Sequence, residues 1–240
     1  MLAYATMPAP VPLPAGEALA TLAHELRDPL AAILLALEVN SGDGDPAARR
    51  TLTMAAHQAR RAVRIVDDLF DLCAGSWDSL PLCKDVVELA AVVAGATAAT
   101  AHLLAARGHR LTVSLPAGPV SLVADPVRLE QVLANLLANA AKFTDPGGDI
   151  RLTARAEAGQ AVLRVRDNGR GIAPELLPRV FDLFQQGPDL GHHGRVGLGL
   201  GLALVKSLVE LHGGRVAASS DGPGTGAEFV VHLPACAHGV

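Results

Sequence analysis

The sequence predicts a two-domain protein in which an all-α helical hairpin precedes an α+β sandwich. In the first 75 residues, apolar side chains repeat every three or four positions in two stretches, as on the buried stripe of a helix. From residue 85 onward, helical stretches mix with short strands of alternating polarity. The chain has 240 residues and 50% of them are hydrophobic, which is enough to bury a core in each domain.

The composition excludes several classes of protein. The formal net charge is −4 and no block of lysine and arginine stands out, so we do not expect nucleic acid as a partner. Cys73, Cys83 and Cys236 lack the paired spacing of a zinc site or a disulfide framework and fit a reducing compartment. Uninterrupted apolar runs fall short of the roughly 20 residues that span a bilayer, and the proline-rich start lacks the regions of a signal peptide. We expect a cytoplasmic protein, or the cytoplasmic part of a longer one, without membrane contact in this segment.

The first domain is expected at residues 17–75, after a linker at residues 1–16. Its two apolar stripes are separated by a turn-forming segment at residues 41–46. Ile65, Leu69 and Leu72 make the second stripe wider than a two-helix hairpin can cover alone. This width predicts a homodimer that forms a four-helix bundle. The alternative is a hairpin that packs on the C-terminal domain of its own chain.

His24 lies outside the first stripe. On a helical wheel it is about 160° from both Leu22 and Leu26, so its imidazole faces water. An exposed histidine can act as a nucleophile, a general base or a metal ligand. The helix alone therefore leaves its role open.

The second domain is expected at residues 85–240, after a linker at residues 76–84. Pattern and turn signals predict three helices, near residues 88–107, from Asp125-Pro126 onward, and at 199–212. Strands are predicted at 110–115, 120–123, 150–156, 161–166, 215–219 and 227–233. The order of these elements predicts helices on one face of a mixed sheet.

Three polar residues share one side of the helix that follows Asp125. Asn135, Asn139 and Lys142 are spaced four and three apart, opposite a face of leucines. Amide oxygens are suitable ligands for Mg²⁺, and a lysine neutralises phosphate charge. The alternative is an ordinary solvated helix face.

Two glycine-containing segments add to this polar group. Asp167 begins the segment D-N-G-R-G after a predicted strand. A buried carboxylate there could accept a hydrogen bond from the exocyclic amine of adenine. The alternative is an ordinary turn, because Asp-Asn-Gly is a common turn sequence. The glycine run at residues 197–201 opens a helix whose N-terminal N–H groups and dipole favour phosphate. This run lacks the ending of a P-loop and no strand directly precedes it, so it is weak evidence by itself.

Taken in order, these segments resemble the sensor histidine kinases of two-component signalling. A-H-E-L-R-D-P-L at residues 23–30 resembles their phosphoacceptor box, and N-L-L-A-N-A-A-K-F-T at 135–144 resembles their N box. D-N-G-R-G-I at 167–172, F-D-L-F at 181–184, G-L-G-L-G-L at 197–202 and G-T-G-A-E-F at 224–229 resemble the remaining boxes of the ATP-binding domain. The resemblance covers about residues 17–234. It implies a dimerisation and phosphotransfer domain followed by a GHKL-type ATP-binding domain of the Bergerat fold.

The resemblance also implies a role for each matching residue. Asp167 would read adenine, Asn139 would bind Mg²⁺, and Asn135 and Lys142 would assist at the phosphates of ATP. His24 would attack the γ-phosphate, with Glu25 beside it accepting or orienting the other imidazole proton. The glycines that would shape the nucleotide pocket and its lid are Gly169, Gly171, Gly197, Gly199 and Gly201.

The implied activity is that of a protein-histidine kinase that uses ATP and Mg²⁺, acts as a homodimer and passes its phosphoryl group to an aspartate in the receiver domain of a response regulator. Two alternatives stay open, a nucleotide-sensing scaffold without autokinase activity and a GHKL ATPase in which His24 is idle. Asp28 replaces the threonine or asparagine that is common four residues after the phosphoacceptor histidine. Because an ionised aspartate cannot donate a hydrogen bond and repels an acyl-phosphate, we expect weak phosphatase activity.

Overall fold

We describe the protein from a computed structural model. The structure describes residues 82–185 and 199–236, together with seven helical positions of the first domain. These positions are Leu26, Leu30, Ala31, Ile33, Ala55, Ala59 and Ala62. The chain separates into two compact units, residues 1–80 and residues 81–240. The seven positions agree with the predicted helices, whereas the turn at 41–46 lies outside the described residues.

The second unit contains seven strands and three helices within the described residues. In chain order they are β1 (Asp85–Glu88), α1 (Leu89–Ala106), β2 (Arg110–Ser114), β3 (Ser121–Ala124), α2 (Pro126–Phe143), β4 (Asp149–Glu157), β5 (Gln160–Asp167), α3 (Gly201–Leu211), β6 (Arg215–Ser219) and β7 (Glu228–Pro234). A short 3₁₀ helix, Leu177–Arg179, lies between β5 and α3.

The strands form two sheets. A five-stranded mixed sheet has the order β2-β4-β5-β7-β6, in which only β2 and β4 pair in parallel. β1 and β3 form a separate antiparallel pair. The mixed sheet and the α+β sandwich are as predicted.

The core lies between the helices and one face of the large sheet. The central helix α2 buries its leucine side, and the inward-facing residues of β4, β5 and β7 alternate with exposed or partly exposed ones, except at the buried Val162 of β5. The outward face carries arginines, such as the directly opposed Arg151 and Arg166. This arrangement leaves the polar side of α2 available for a site.

Local chemistry explains where α2 begins and where α3 ends. The Asp125 carboxylate accepts a hydrogen bond from the Arg128 backbone N–H at 3.2 Å, and Pro126 occupies the first helical turn of α2. After α3, Gly213 adopts a φ of 74° and the backbone N–H of Gly214 donates to the carbonyl of Val209 at 2.9 Å. The sequence predicts both features, from Asp125-Pro126 before α2 and from Gly213-Gly214 after α3.

The strand β1 was not predicted. Its four residues, D-V-V-E, run directly into α1, and Val86 is 66% exposed, so no alternating pattern marks them. Its partner β3 is distant in sequence, and such a pairing leaves no local signal. The other strands and helices of this unit lie within two residues of their predicted bounds.

One described helix is long and apolar enough to cross a membrane by length and composition alone. It is α1, with a mean hydropathy of 1.7 over 18 residues. Thr97, Thr100 and His102 interrupt its apolar run in the sequence. In the structure its buried side, which includes Val92 and Val93, contributes to the core beside α2.

Candidate functional site

Asp167 is the last residue of β5 and is buried, with 7% of its surface exposed. Its Oδ1 atom accepts a hydrogen bond from the Gly169 backbone N–H at 2.9 Å, and its own N–H donates to the carbonyl of Ala227 at 3.0 Å. Burial raises the pKa of the carboxyl group, and backbone hydrogen bonds from Gly169 and Ala227 oppose that rise. The carboxyl group is therefore held in a fixed orientation at the end of the strand.

The turn after Asp167 requires glycine at two positions. A Cβ atom on Gly169 would collide with the backbone carbonyl of Phe143 at the end of α2. Gly171 has a φ of 69°, and a Cβ atom there would collide with the carbonyl of Gly222. The turn is thus wedged between α2 and the loop that precedes β7.

That loop is joined to the turn by several hydrogen bonds. The Ser220 hydroxyl accepts from the Ile172 N–H at 3.0 Å and donates to the Gly226 carbonyl at 2.7 Å. The N–H groups of Gly224 and Gly226 donate to the carbonyls of Arg170 (2.6 Å) and Gly169 (3.0 Å). We call residues 167–172 and 220–227 together the carboxylate corner.

Ser220 was missed in the sequence analysis. It lies outside the glycine segment at residues 224–229, and a single serine after a strand carries no signal of its own. Its importance depends on contacts with Ile172, which is 48 residues away in the chain. A serine before a glycine-rich loop can therefore hold that loop against a distant turn through its hydroxyl group.

Asn135, Asn139 and Lys142 lie on the side of α2 opposite its buried leucines, as predicted, and each is partly exposed. We call these three residues the helix face. The Asn135 Nδ2 atom is buried and has no hydrogen-bond partner. The ammonium group of Lys142 lies 4.4 Å from the centre of the Phe143 ring.

The start of α3 lies beside the helix face. A Cβ atom on Gly201 would lie 3.8 Å from the Asn135 Oδ1 atom, which is an ordinary contact distance. Gly199 has a φ of 70°, and its carbonyl accepts a hydrogen bond from the Phe184 N–H at 3.2 Å. The F-D-L-F segment therefore ends next to the glycine run, and the Phe181 ring packs edge-on against Phe229 at 6.2 Å.

The structure brings eight of the predicted residues into two neighbouring groups. The carboxylate corner contains Asp167, Gly169 and Gly171, and the helix face and the start of α3 contain Asn135, Asn139, Lys142, Gly199 and Gly201. The two groups are connected through the Phe143 carbonyl, which accepts from the Arg170 N–H at 3.0 Å. His24, Glu25, Asp28 and Gly197 lie outside the described residues.

The described residues outside the candidate site form neither a metal-binding cluster nor a cavity that adjoins the site. Within residues 82–185 and 199–236, no group of three or more histidine, cysteine, aspartate or glutamate side chains could hold a metal ion. A cavity of about 290 Å³ lies between the start of α1 and residues 115–120 and shares no lining residue with the candidate site. A cation at this site would depend on the amide oxygens of the helix face and on a bound ligand.

Comparisons with known proteins agree with this geometry. Residues 124–237 match the family of histidine kinase-, DNA gyrase B-, and HSP90-like ATPases, and residues 15–72 match the His Kinase A (phospho-acceptor) domain. The probable sensor histidine kinase TcrY of Mycobacterium tuberculosis is 36% identical over 217 residues, which are 90% of this chain and 45% of TcrY. The chain spans less than half the length of the first curated relatives that it matches.

Two solved structures share the fold. Full-length ShkA, crystallised in complex with AMPPNP, superimposes with a TM-score of 0.69 at 28% identity, over 93% of this chain and 47% of ShkA. The histidine kinase ThkA, crystallised in complex with the response regulator protein TrrA, has a TM-score of 0.63 at 21% identity, over 91% of this chain and 61% of that chain. At that identity, the second comparison shows the fold alone.

Proposed function

This chain belongs to the sensor histidine kinases of two-component signalling, and on that premise we propose that it is an ATP-dependent protein-histidine kinase. It autophosphorylates on His24 and transfers the phosphoryl group to an aspartate of a response regulator. One observation carries the proposal: the pinned, buried carboxylate of Asp167 lies next to the end of a helix whose polar side bears Asn135, Asn139 and Lys142.

The carboxylate corner suits the adenine of ATP. The backbone N–H of Gly169 donates to Oδ1 of Asp167 at 2.9 Å, and a backbone hydrogen bond from Ala227 also acts on this carboxyl group. In its ionised form the carboxylate has further lone pairs that can accept a hydrogen bond from the exocyclic amine of adenine, which supplies a donor and no charge. Gly169 and Gly171 let the turn pack against the carbonyls of Phe143 and Gly222, where a side chain has no space, and this packing holds the carboxylate in place.

The helix face suits the phosphates. The unpaired Asn135 Nδ2 atom can donate a hydrogen bond to a phosphate oxygen. The Oδ1 atom of the same amide lies beside Gly201 at the N-terminus of α3, where backbone N–H groups also favour anions. Lys142 adds positive charge on the same side, and Gly197 and Gly199 belong to the same glycine run. Asn139 contributes an amide oxygen to Mg²⁺, which neutralises charge on the phosphates when it is bound.

In the chemical step, an imidazole nitrogen of His24 attacks the γ-phosphorus of ATP, the bond from that phosphorus to the bridging oxygen breaks, and ADP leaves. Glu25 accepts or orients the proton on the other imidazole nitrogen, which keeps the attacking nitrogen available. No residue of the ATP-binding domain forms a covalent bond with the phosphoryl group in this step. The domain has only to position ATP and neutralise its charge.

We propose a homodimer for the first domain. Leu30 follows Leu26 by four residues and so lies on the first apolar stripe, yet it is 51% exposed in a single chain, as expected of a face that a second copy covers. We further propose the boundaries 1–16 for a linker, 17–75 for the dimerisation and phosphotransfer domain, 76–84 for a second linker and 85–240 for the ATP-binding domain. The relatives are longer sensor proteins, which supports a cytoplasmic segment of a longer chain whose partner is a receiver domain.

Incubation of the full chain with γ-³²P-labelled ATP and Mg²⁺ tests the function. We expect acid-labile, alkali-stable label on the wild type and none on His24→Ala, while both chains bind ADP equally. Acid-stable label, or equal label on His24→Ala, contradicts autophosphorylation at His24. A chain that binds and hydrolyses ATP without covalent label would instead be a GHKL ATPase, and one that binds ATP without hydrolysis or label would be a nucleotide-sensing scaffold.

A separate experiment tests the proposed weak phosphatase activity. We expect Asp28→Asn to dephosphorylate a phosphorylated response regulator faster than the wild type in the presence of ADP, because the amide of asparagine can donate a hydrogen bond to water. Equal rates for the two chains contradict the role of Asp28.

A further inference from the structure

A buried polar junction lies at the ends of α2 and α3 that are remote from the candidate site. Asp125, which caps the start of α2, is 7% exposed, and His212, which follows the end of α3, is 5% exposed. The two helices run in opposite directions, since Asn135 lies beside Gly201 at the start of α3, whereas the Asp125 N–H bonds to His212 beyond the end of α3. About 15 Å of helix separates Asp125 from Asn135 along α2.

Hydrogen bonds fix the protonation state of His212. Its Nδ1 atom donates to the Leu208 carbonyl at 2.7 Å, and its Nε2 atom accepts from the Asp125 backbone N–H at 3.0 Å. A proton on Nε2 would face an N–H group instead of an acceptor. The junction therefore requires the neutral imidazole.

The same junction holds the segment through which the chain enters this domain. The Asp125 Oδ2 atom accepts from the Cys83 backbone N–H at 3.0 Å, while Oδ1 caps α2. The Lys84 ammonium group donates to the Leu211 carbonyl at 3.0 Å, on the last turn of α3. Cys83 and Lys84 are thus bonded to both helices that carry the phosphate-side residues.

We propose that Asp125 and His212 are positioning residues for the nucleotide site. Together with Lys84 they hold the leading segment against the remote ends of α2 and α3, and so set the spacing between Asn135 in the middle of α2 and Gly201 at the start of α3. A displacement of the leading segment is then passed to the phosphate side through two rigid helices. This inference rests on the proposed nucleotide site and adds a means by which the preceding part of the chain controls it.

The electrostatics of the junction agree with this role. Burial lowers the pKa of His212, its hydrogen bond to Leu208 opposes that effect, and the nearby charges of Lys84 and Asp125 act in opposite directions. The titratable groups that face it are Lys84 from the leading segment and Asp125 from α2. Acidification therefore opens the junction by protonating an imidazole that has no room for a second N–H.

The test compares ADP affinity of the full wild-type chain with that of His212→Gln between about pH 7.5 and about pH 5.5. Glutamine keeps an oxygen that can accept the Asp125 N–H and does not titrate. Titration of Asp167 and of ADP itself affects both chains alike, so only the difference between the profiles reports on His212. We expect the wild type to lose about fivefold more affinity than the variant over this range, whereas parallel profiles overturn the proposal.

A second pair of variants avoids the buried core. Lys84→Met removes the exposed bond to Leu211, and Lys206→Met removes an exposed charge from the middle of α3. At pH 7.5 we expect about a twofold loss of ADP affinity for Lys84→Met and no change for Lys206→Met. Equal effects contradict the proposal. If the wild type fails to bind ADP at pH 7.5, the proposed function fails and this inference with it, whereas binding with parallel profiles defeats only the inference.

Discussion

The carboxylate corner and the helix face are built in different ways. At the corner, backbone groups of residues 167–172 and 220–227 bond to one another, and the Ser220 hydroxyl joins the two loops. On the helix face, the side chains of Asn135, Asn139 and Lys142 project from a single helix, and the Asn135 Nδ2 atom is buried without a partner. The corner is held together by bonds within the protein, whereas the helix face carries a buried donor with no partner among the described residues.

This difference assigns different energetic roles to the two regions. A frame of backbone hydrogen bonds and close glycine contacts contributes to folding and to binding together, so damage to it affects both. An unpaired buried donor costs stability in the free protein, and an acceptor on a bound ligand would remove that cost. We therefore expect substitutions of the close-packed glycines at the corner to lower both stability and affinity, and substitutions on the helix face to separate the two.

The largest effect is expected from a matched pair of glycine substitutions. Gly171→Ala places a Cβ atom against the Gly222 carbonyl at a positive φ, and both groups are backbone that cannot move aside. We expect it to lower the free energy of unfolding by about 2 to 4 kcal/mol and to abolish measurable ADP binding. Urea denaturation and calorimetric titration measure these quantities.

The matched control is Gly201→Ala, where the added Cβ lies 3.8 Å from Asn135 and the glycine begins a helix. We expect stability to stay the same or rise by up to about 1 kcal/mol, because alanine favours a helix. If both variants lower the free energy of unfolding equally, the two regions do not differ in their contribution to folding.

The next effect concerns the charge of Asp167. Asp167→Asn retains an oxygen that can accept from Gly169 but loses the negative charge that would face adenine. We expect ADP affinity to fall about 10- to 100-fold, since a charged hydrogen bond contributes about 1.5–3 kcal/mol, while the fold remains intact because a buried charge has been removed. Unchanged affinity would show that adenine binds elsewhere.

The sequence alone predicted the helix face more fully than the corner. Asn135, Asn139 and Lys142 lie on one α-helix, so their common side follows from spacing alone. The corner depends on contacts between distant segments, such as Ser220 with Ile172 and Gly171 with Gly222, which no local pattern encodes. For the same reason the β1–β3 pairing was missed, while the strands β4 and β5, which are separated by a short connection, were predicted.

A smaller effect, with opposite signs on stability and binding, is expected at Asn135. Asn135→Ala removes a buried Nδ2 donor that has no partner, so the free energy of unfolding should stay the same or rise by up to about 1 kcal/mol. The same change removes a proposed phosphate contact, and we expect about a tenfold loss of ADP affinity. Leu136→Ala, in the adjacent buried face, is the matched control that should lower stability by about 2 to 5 kcal/mol. A loss of stability in Asn135→Ala would mean that the amide already supports the free protein.

The smallest expected effect is a difference in the pH dependence of stability between the wild type and Asp167→Asn. Because burial raises the pKa of Asp167, the folded chain keeps a proton that the unfolded chain releases as the pH rises above the ordinary value of 3.8. The free energy of unfolding of the wild type should therefore fall, relative to Asp167→Asn, from that pH up to the raised pKa and then level off. ADP affinity of the wild type should rise over the same interval, since binding requires the carboxylate. Urea denaturation of both chains at closely spaced pH values measures the difference. Parallel stability curves would show that the backbone hydrogen bonds from Gly169 and Ala227 fully offset the effect of burial on the Asp167 carboxyl group.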